Sequence, residues 1–203
     1  MARLRGPRVK VMRALGTELP GLSRKSIEKR PYPPGEHGPK RRRRNVSDYG
    51  LRLREKQKMR FNYCISESQL RRLVEAATRR KGNTGVKLIE LLERRLDNVL
   101  FRAGLARTIP AARQLVGHGH IFVNARKVDR PSFSVTRGDV VSVRPASRDI
   151  ALRALESGAG LDTPWLVIDK EAPTINVASY PDESFVPFDL EPRLIVEHYS
   201  RAM

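Results

Sequence analysis

Apolar residues recur at helical spacing over 48–116 and turn to strand spacing just beyond Gly117, and that change of period points to a fold with both helices and strands. Ser47 or Asp48 is a good N-cap for a helix running through Tyr49–Tyr63. Ser66, with Gln69 three residues on, has the capping-box pattern, and Leu70, Leu73, Val74 and Ala77 follow at helical spacing before Gly82 offers a stop. After Thr84, the set Val86, Ile89, Leu92, Leu96 and Val99 predicts one amphipathic helix over 85–103, ending at Gly104. A shorter helix is expected from Thr108 to Val116, with Pro110 in its first turn and Gly117 as its stop. Then the reading changes. His120–Val123, a tight turn at Asn124-Ala125-Arg126, and Lys127-Val128 predict a hairpin, and Arg137-Gly138-Asp139 feeds a strand at Val140–Val143. A short helix at 149–156, strands at 165–168 and 174–177, and a closing helix at 192–199 complete an α+β chain.

Residues 1–45 show little periodicity and much punctuation from Pro7, Gly16, Pro20, Gly21, Pro31, Pro33-Pro34-Gly35 and Gly38-Pro39. Arg3, Arg5, Arg8, Lys10 and Arg13 are spread through this stretch, and Lys40, Arg41, Arg42, Arg43 and Arg44 close it. A basic, irregular extension that orders against phosphate is expected. Charge is distributed unevenly. Residues 1–60 hold 19 basic and 5 acidic side chains, 61–144 hold 16 and 7, and 145–203 hold 5 and 10. The net +18 therefore resides in the first two-thirds, whose self-repulsion calls for a polyanionic partner, while the last third reads as structural support.

Other classes find little support. No apolar h-region follows the basic N-terminus and the longest unbroken apolar run is Trp165–Ile168, so neither export nor membrane insertion is expected. The single cysteine, Cys64, has no histidine nearby and reads as a core thiol in a reducing, intracellular setting. His118 and His120 lack a third ligand, and His37 and His198 are isolated, so no metal site follows. There is no phosphate-binding loop, dinucleotide fingerprint or serine elbow. Arg95-Leu96-Asp97 is the one suggestive string, since pseudouridine synthases use an aspartate in such a string; here Asp97 lies mid-helix beside arginines and no catalytic-sized domain follows.

Several basic and amide side chains are candidate RNA contacts. On the expected 85–103 helix, Arg94, Asn98 and Arg102 recur at i, i+4 and i+8, and Arg95 joins Arg102 at i, i+7, on the side away from the apolar stripe. Arg107, Arg113 and Gln114 belong to the next helix, His118 and His120 lie at the strand entrance, and Arg126 and Lys127 sit in the hairpin turn. Arg52, Arg54, Lys56 and Lys58 alternate with apolar residues in the 49–63 helix. Guanidinium groups suit phosphate oxygens bidentately, and amides reach base edges or 2′-hydroxyls. The competing reading is a solvated face on which Glu93 and Asp97 pair with neighbouring arginines.

The runs Leu92-Glu93-Arg94-Arg95-Leu96-Asp97-Asn98-Val99, Ala111–Val116 and His118-Gly119-His120-Ile121-Phe122-Val123-Asn124 resemble the small RNA-binding module named after ribosomal protein number four. That module also occurs in pseudouridine synthases, a tyrosyl-tRNA synthetase appendage and a small heat-shock protein. The flanks at 30–38, 47–58, 81–85 and 194–200 resemble the ribosomal protein family itself, so the likeness spans essentially the whole chain. It implies a basic extension over 1–46, a mostly helical domain from 47–91 and 179–203, and an inserted module of two helices on a small antiparallel sheet over 92–178. It also implies a non-catalytic, cytoplasmic protein of the small ribosomal subunit that binds its ribosomal RNA, nucleates assembly of the subunit body and contributes to translational accuracy. The implied partners are ribosomal protein number five, other small-subunit proteins and, at Lys40–Arg44, messenger RNA on its way into the subunit. Two departures matter. Some members hold zinc through four N-terminal cysteines, but Val9 and Met12 stand at two of those positions and 22–30 has no cysteine, so no zinc or other cofactor is expected. The hairpin turn usually reads Asn-Gly; Asn124-Ala125 here disfavours positive φ at both turn positions, which leaves the turn type open.

Overall fold

The structure, a computed structural model, describes residues 6–39, 46–158, 160–161, 163–169, 171–182 and 185–200. Its helices are α1 (Arg8–Leu15), α2 (Asp48–Asn62), α3 (Glu67–Thr78), α4 (Thr84–Glu93), α5 (Leu96–Arg102), α6 (Ile109–Gly117), α7 (Arg148–Glu156) and α8 (Pro192–Ser200). Five strands, β1 (Ile121–Val123), β2 (Arg126–Lys127), β3 (Val140–Val143), β4 (Leu166–Asp169) and β5 (Thr174–Val177), form one antiparallel sheet in the order β2-β1-β3-β5-β4. The chain is α+β, as its periodicity predicts. It divides into two compact units: Met1–Leu88 with Val186–Met203, and Ile89–Phe185.

In the first unit, Ser66 caps α3 through the predicted box: its hydroxyl accepts from Gln69 N and its N–H donates to Gln69 Oε1. Leu70, Val74 and Ala77 turn inward, and Ile195 and Tyr199 of α8 are buried in the same unit. α1 departs from the irregular extension expected. Gly16 adopts φ +69° and its N–H caps Met12 O, which closes the helix, while Met12, Leu19 and Leu22 are buried. Side chains then secure the segment after α1. Arg13 Nε donates to Arg30 O and Tyr32 O, its guanidinium lies 4.9 Å from the centre of the Tyr32 ring, and Glu18 Oε1 accepts from Ser26 Oγ and Ile27 N. Punctuation concealed a helix only two turns long.

In the second unit, Leu96, Val99 and Leu100 of α5 and Ala112 and Val116 of α6 cover the inner face of the sheet, formed by Ile121, Val123, Val141, Leu166, Ile175 and Val177. The helix predicted over 85–103 is broken here. Arg95 is extended (φ −68°, ψ 137°) and pairs with Ser134 as an isolated antiparallel bridge. The physical reason is the segment at 131–135. Leu96 N donates to Phe133 O, Asp97 N to Pro131 O, and Val135 N to Arg94 O, so a tertiary partner takes over backbone groups that a continuous helix would pair internally.

Candidate nucleic-acid interface

The break in the helix redirects the polar side chains expected to form one surface. Arg102 is 1% exposed, with Nε and Nη2 donating to Glu93 Oε2 and Oε1 at 2.8 and 2.6 Å. Asn98 is equally buried and donates to Glu93 O and Oε2. Arg95 grips Asp97 through two bonds at 3.1 and 2.9 Å, and Arg113 Nε donates to the same carboxylate at 2.8 Å. Arg94 donates to Val135 O and Glu90 and lies over the Tyr180 ring. This corrects the expected geometry: Arg94, Asn98, Arg102 and Arg113 do not share an outward face. With α5 restarting after Arg95, its register differs from that of α4, and Glu93 and Asp97 become buried anions that need cations beside them. The competing reading, pairing with Glu93 and Asp97, describes Arg95, Asn98, Arg102 and Arg113, though inside the unit rather than on its surface, while Arg94 pairs with Glu90.

The cations of α2 are rearranged in the same way. Arg52 pairs with Glu197, Lys56 with Glu67, and Lys58 with Glu55 and Asp189, and all three cations are buried. Packing of α8 on α2 covers the side that periodicity leaves polar, and charges buried there require partners. Tyr199 Oη donates to Glu67 Oε1 at 2.7 Å. Burial raises the Glu67 pKa, but bonds from Tyr199 and Lys56 and the charges of Lys56 and Arg60 outweigh it, leaving the carboxyl below its ordinary value. Burial and the same bond push the Tyr199 phenol upward.

Other candidates do face solvent. Thr108 caps α6 by accepting from Ala111 N, and Ile109, Ala112 and Val116 turn inward, which leaves Arg107 and Gln114 on the open side. The hairpin takes a two-residue turn with positive φ at both positions, 50° at Asn124 and 63° at Ala125, despite the alanine. Asn124 is tied down: its Nδ2 donates to Asp139 Oδ1 and its Oδ1 accepts from Val140 N. Burial raises the Asp139 pKa, but bonds from Thr136 and Asn124 bring it below the ordinary value. The pinned turn holds Arg126 and Lys127 in solvent. His118 is exposed and His120 half-exposed, with ring centres 6.0 Å apart and His120 Nδ1 2.7 Å from Ser147 Oγ. In the first unit Arg8, Lys10 and Arg54 are exposed, although Arg8 also reaches Leu22 O. Arg3, Arg5, Lys40, Arg41, Arg42, Arg43 and Arg44 lie outside the described residues.

Sequence reasoning passed over further exposed cations: Arg71, Arg72 and Arg79 on and after α3, and Arg137 and Arg144 around the sheet. The first three were legible, since the Leu70, Val74 and Ala77 stripe that points α3 inward points them outward. Arg144 follows β3 and carries no local signal of its exposure.

Two helices on one face of an antiparallel sheet, with arginine, lysine, histidine and amide groups open to solvent on the second helix and hairpin, define a basic module of the class that lies against a polyanion. Comparison with known proteins gives the class a family. Residues 3–93 match the family described as the ribosomal protein S4/S9 N-terminal domain, and 94–141 match the S4 domain. The small ribosomal subunit protein uS4 of Methylobacillus flagellatus is 49% identical over 205 residues, covering 100% of both chains. That of Synechocystis is 51% identical over 204 residues and 99% of both chains, and the uS4B protein of Nitrosomonas europaea is 47% identical over 205 residues and 100% of both. The chain belongs to the small ribosomal subunit protein uS4 family.

Proposed function

We propose that this chain is a non-catalytic protein of the cytoplasmic small ribosomal subunit that binds small-subunit ribosomal RNA directly. In this reading it nucleates assembly of the subunit body and contributes to translational accuracy through contact with ribosomal protein number five and other small-subunit proteins. The full-length likeness to uS4 proteins carries the reading. The exposed cations support it at residue level. Arg8, Lys10, Arg54, Arg107, Gln114, His118, His120, Arg126 and Lys127 meet the RNA, together with Arg3 and Arg5, while Lys40–Arg44 touch messenger RNA on its way into the subunit. Arg13, Arg52, Lys56, Lys58, Arg94, Arg95, Asn98, Arg102 and Arg113 hold the two units in shape. Against catalysis stands the state of Asp97, which is 1% exposed and neutralised by Arg95 and Arg113, so a substrate base has no access to it.

The test is binding of the purified chain to a full-length small-subunit ribosomal RNA transcript, followed by sedimentation of subunits through a high-salt sucrose gradient. Tight, saturable binding and retention on the subunit are expected. Loss from the subunit at high salt, or conversion of uridine to pseudouridine that Asp97→Ala abolishes, would overturn the reading.

A further inference from the structure

The junction of α6, β1, β2 and the turn before α7 gathers polar side chains that the packing of the fold does not use. His118 follows α6 and His120 precedes β1. Between them Gly119 sits at φ +73°, and the Lys127 side chain lies so close over it that a Cβ there would collide with Lys127 Cε and Nζ. The glycine therefore does two things: it supplies a left-handed turn, and it lets an ammonium group lie beside the backbone between the imidazoles. Ser147 is 4% exposed, and its hydroxyl meets His120 Nδ1 at 2.7 Å. A buried hydroxyl bonded to one ring nitrogen fixes the ring plane and leaves Nε2 as the nitrogen for an outside partner. Arg144 N donates to His120 O, which ties the end of β3 to the same point. Among the described residues no carboxylate pairs with Lys127 or Arg144. The charged groups on the adjoining elements are Arg113 on α6, engaged with Asp97, Arg126 on β2, Arg144 after β3, and Arg148, Asp149, Arg153 and Glu156 on α7; Arg148 is engaged with Glu171 O.

We propose that His118, His120 and Lys127 form a proton-sensitive site for one phosphodiester of the bound RNA, with Ser147 as the positioning residue for His120. The proposal rests on the RNA-binding reading and specifies part of its site. Lys127 supplies one positive charge. Each histidine adds a second donor and a positive charge only when protonated, and histidine changes charge between about pH 5 and 8. A phosphate favours the protonated ring, so by linkage RNA binding takes up protons and affinity falls as pH rises through this range. At constant salt, two histidines each contributing one charge-assisted bond correspond to a loss of roughly tenfold or more.

The experiment measures affinity of the full chain for a small-subunit ribosomal RNA transcript from pH 5.8 to 8.0 at one ionic strength. A decline with pH is expected for the native chain. The double substitution His118→Gln, His120→Gln should bind at all pH values with a nearly flat profile, while Lys127→Gln keeps the pH dependence and lowers the salt slope. Ser147→Ala should weaken only the His120 share. Proton resonances of the imidazoles of the unsubstituted chain provide a readout that no folding defect can confuse: at pH 6 RNA should shift those of His118 and His120 and leave His198 in place. Tight binding with no pH dependence, or with unshifted resonances, overturns the proposal while RNA binding stands. Absence of binding at every pH removes both.

Discussion

Arginines close together in this sequence have opposite roles, and burial separates them. Arg102 and Glu93 are 1% and 0% exposed, so removing the guanidinium strands an anion in the core. Arg102→Ala is expected to lower unfolding free energy by about 3–5 kcal/mol. Arg107, exposed just before the Thr108 cap of α6, should behave the other way. Arg107→Ala should change stability by less than about 0.5 kcal/mol, weaken RNA binding by about 1–3 kcal/mol and reduce the log–log salt slope by roughly 0.7–0.9. Chemical denaturation and salt-dependent binding of the two variants check this; the opposite pattern would show that the interface runs through α5. Ala125 is a second residue whose conformation decides its role. A side chain at φ 63° crowds its own carbonyl, so Ala125→Gly should raise stability by about 0.5–1 kcal/mol, read as a higher denaturant midpoint. A lower midpoint would mean that unfolded-chain entropy outweighs the relief.

Elements depend on their neighbours in two ways. α4 and α5 carry an apolar period fit for a single helix, yet they separate at Arg94-Arg95 because Pro131, Phe133 and Val135 offer backbone partners from elsewhere in the chain. α2 carries an apolar period too weak to locate its buried side, and Glu197, Glu67 and Asp189, distant in sequence, settle which cations turn inward. The Glu67 carboxylate joins α2, α3 and α8 through Lys56 and Tyr199. Its folded pKa lies below the ordinary 4.5, so its stabilising contribution is complete above that value and is lost as pH falls through the lowered one. Acid denaturation of Glu67→Gln should therefore be less steep below pH 4.5 than that of the native chain, with the native chain losing stability faster. Parallel acid profiles would remove Glu67 from the account.

At the scale of the whole molecule, the first unit is discontinuous, built from both ends of the chain. α8 contributes buried Ile195 and Tyr199 and the partner of Arg52, so a chain ending after residue 185 should lose protection in residues 6–88 while 89–185 stays folded. Hydrogen exchange reads both units in one experiment; uniform loss of protection, or none, would contradict this division of stability. With Val9 and Met12 near the N-terminus and no cysteine other than Cys64 in the sequence, the purified protein should carry far less than one zinc per chain by elemental analysis after dialysis against chelator. Stoichiometric zinc surviving that treatment would overturn it.

The sequence by itself determined the class of fold and the chemistry of the partner. Periodicity that switches at Gly117 sorts helices from strands, the Ser66 and Thr108 caps mark helix starts, and a net +18 concentrated in the first two-thirds calls for a polyanion. These are local or additive properties, visible without knowing what touches what. Tertiary structure alone decided which charges remain available to that partner. Arg102 and Arg107 look alike in sequence, but only one lies within reach of Glu93; Lys56 and Arg54 stand two residues apart, but only one meets Glu67. The left-handed turn at Asn124-Ala125 is of the same kind. Residue preference opposes it, and bonds from Asn124 to Asp139 and Val140, 15 and 16 residues away, hold it in place. At Glu93 long-range pairing outweighs local preference because an unpaired charge inside the protein is costly, and at Asn124-Ala125 two long-range bonds together offset one strained backbone angle.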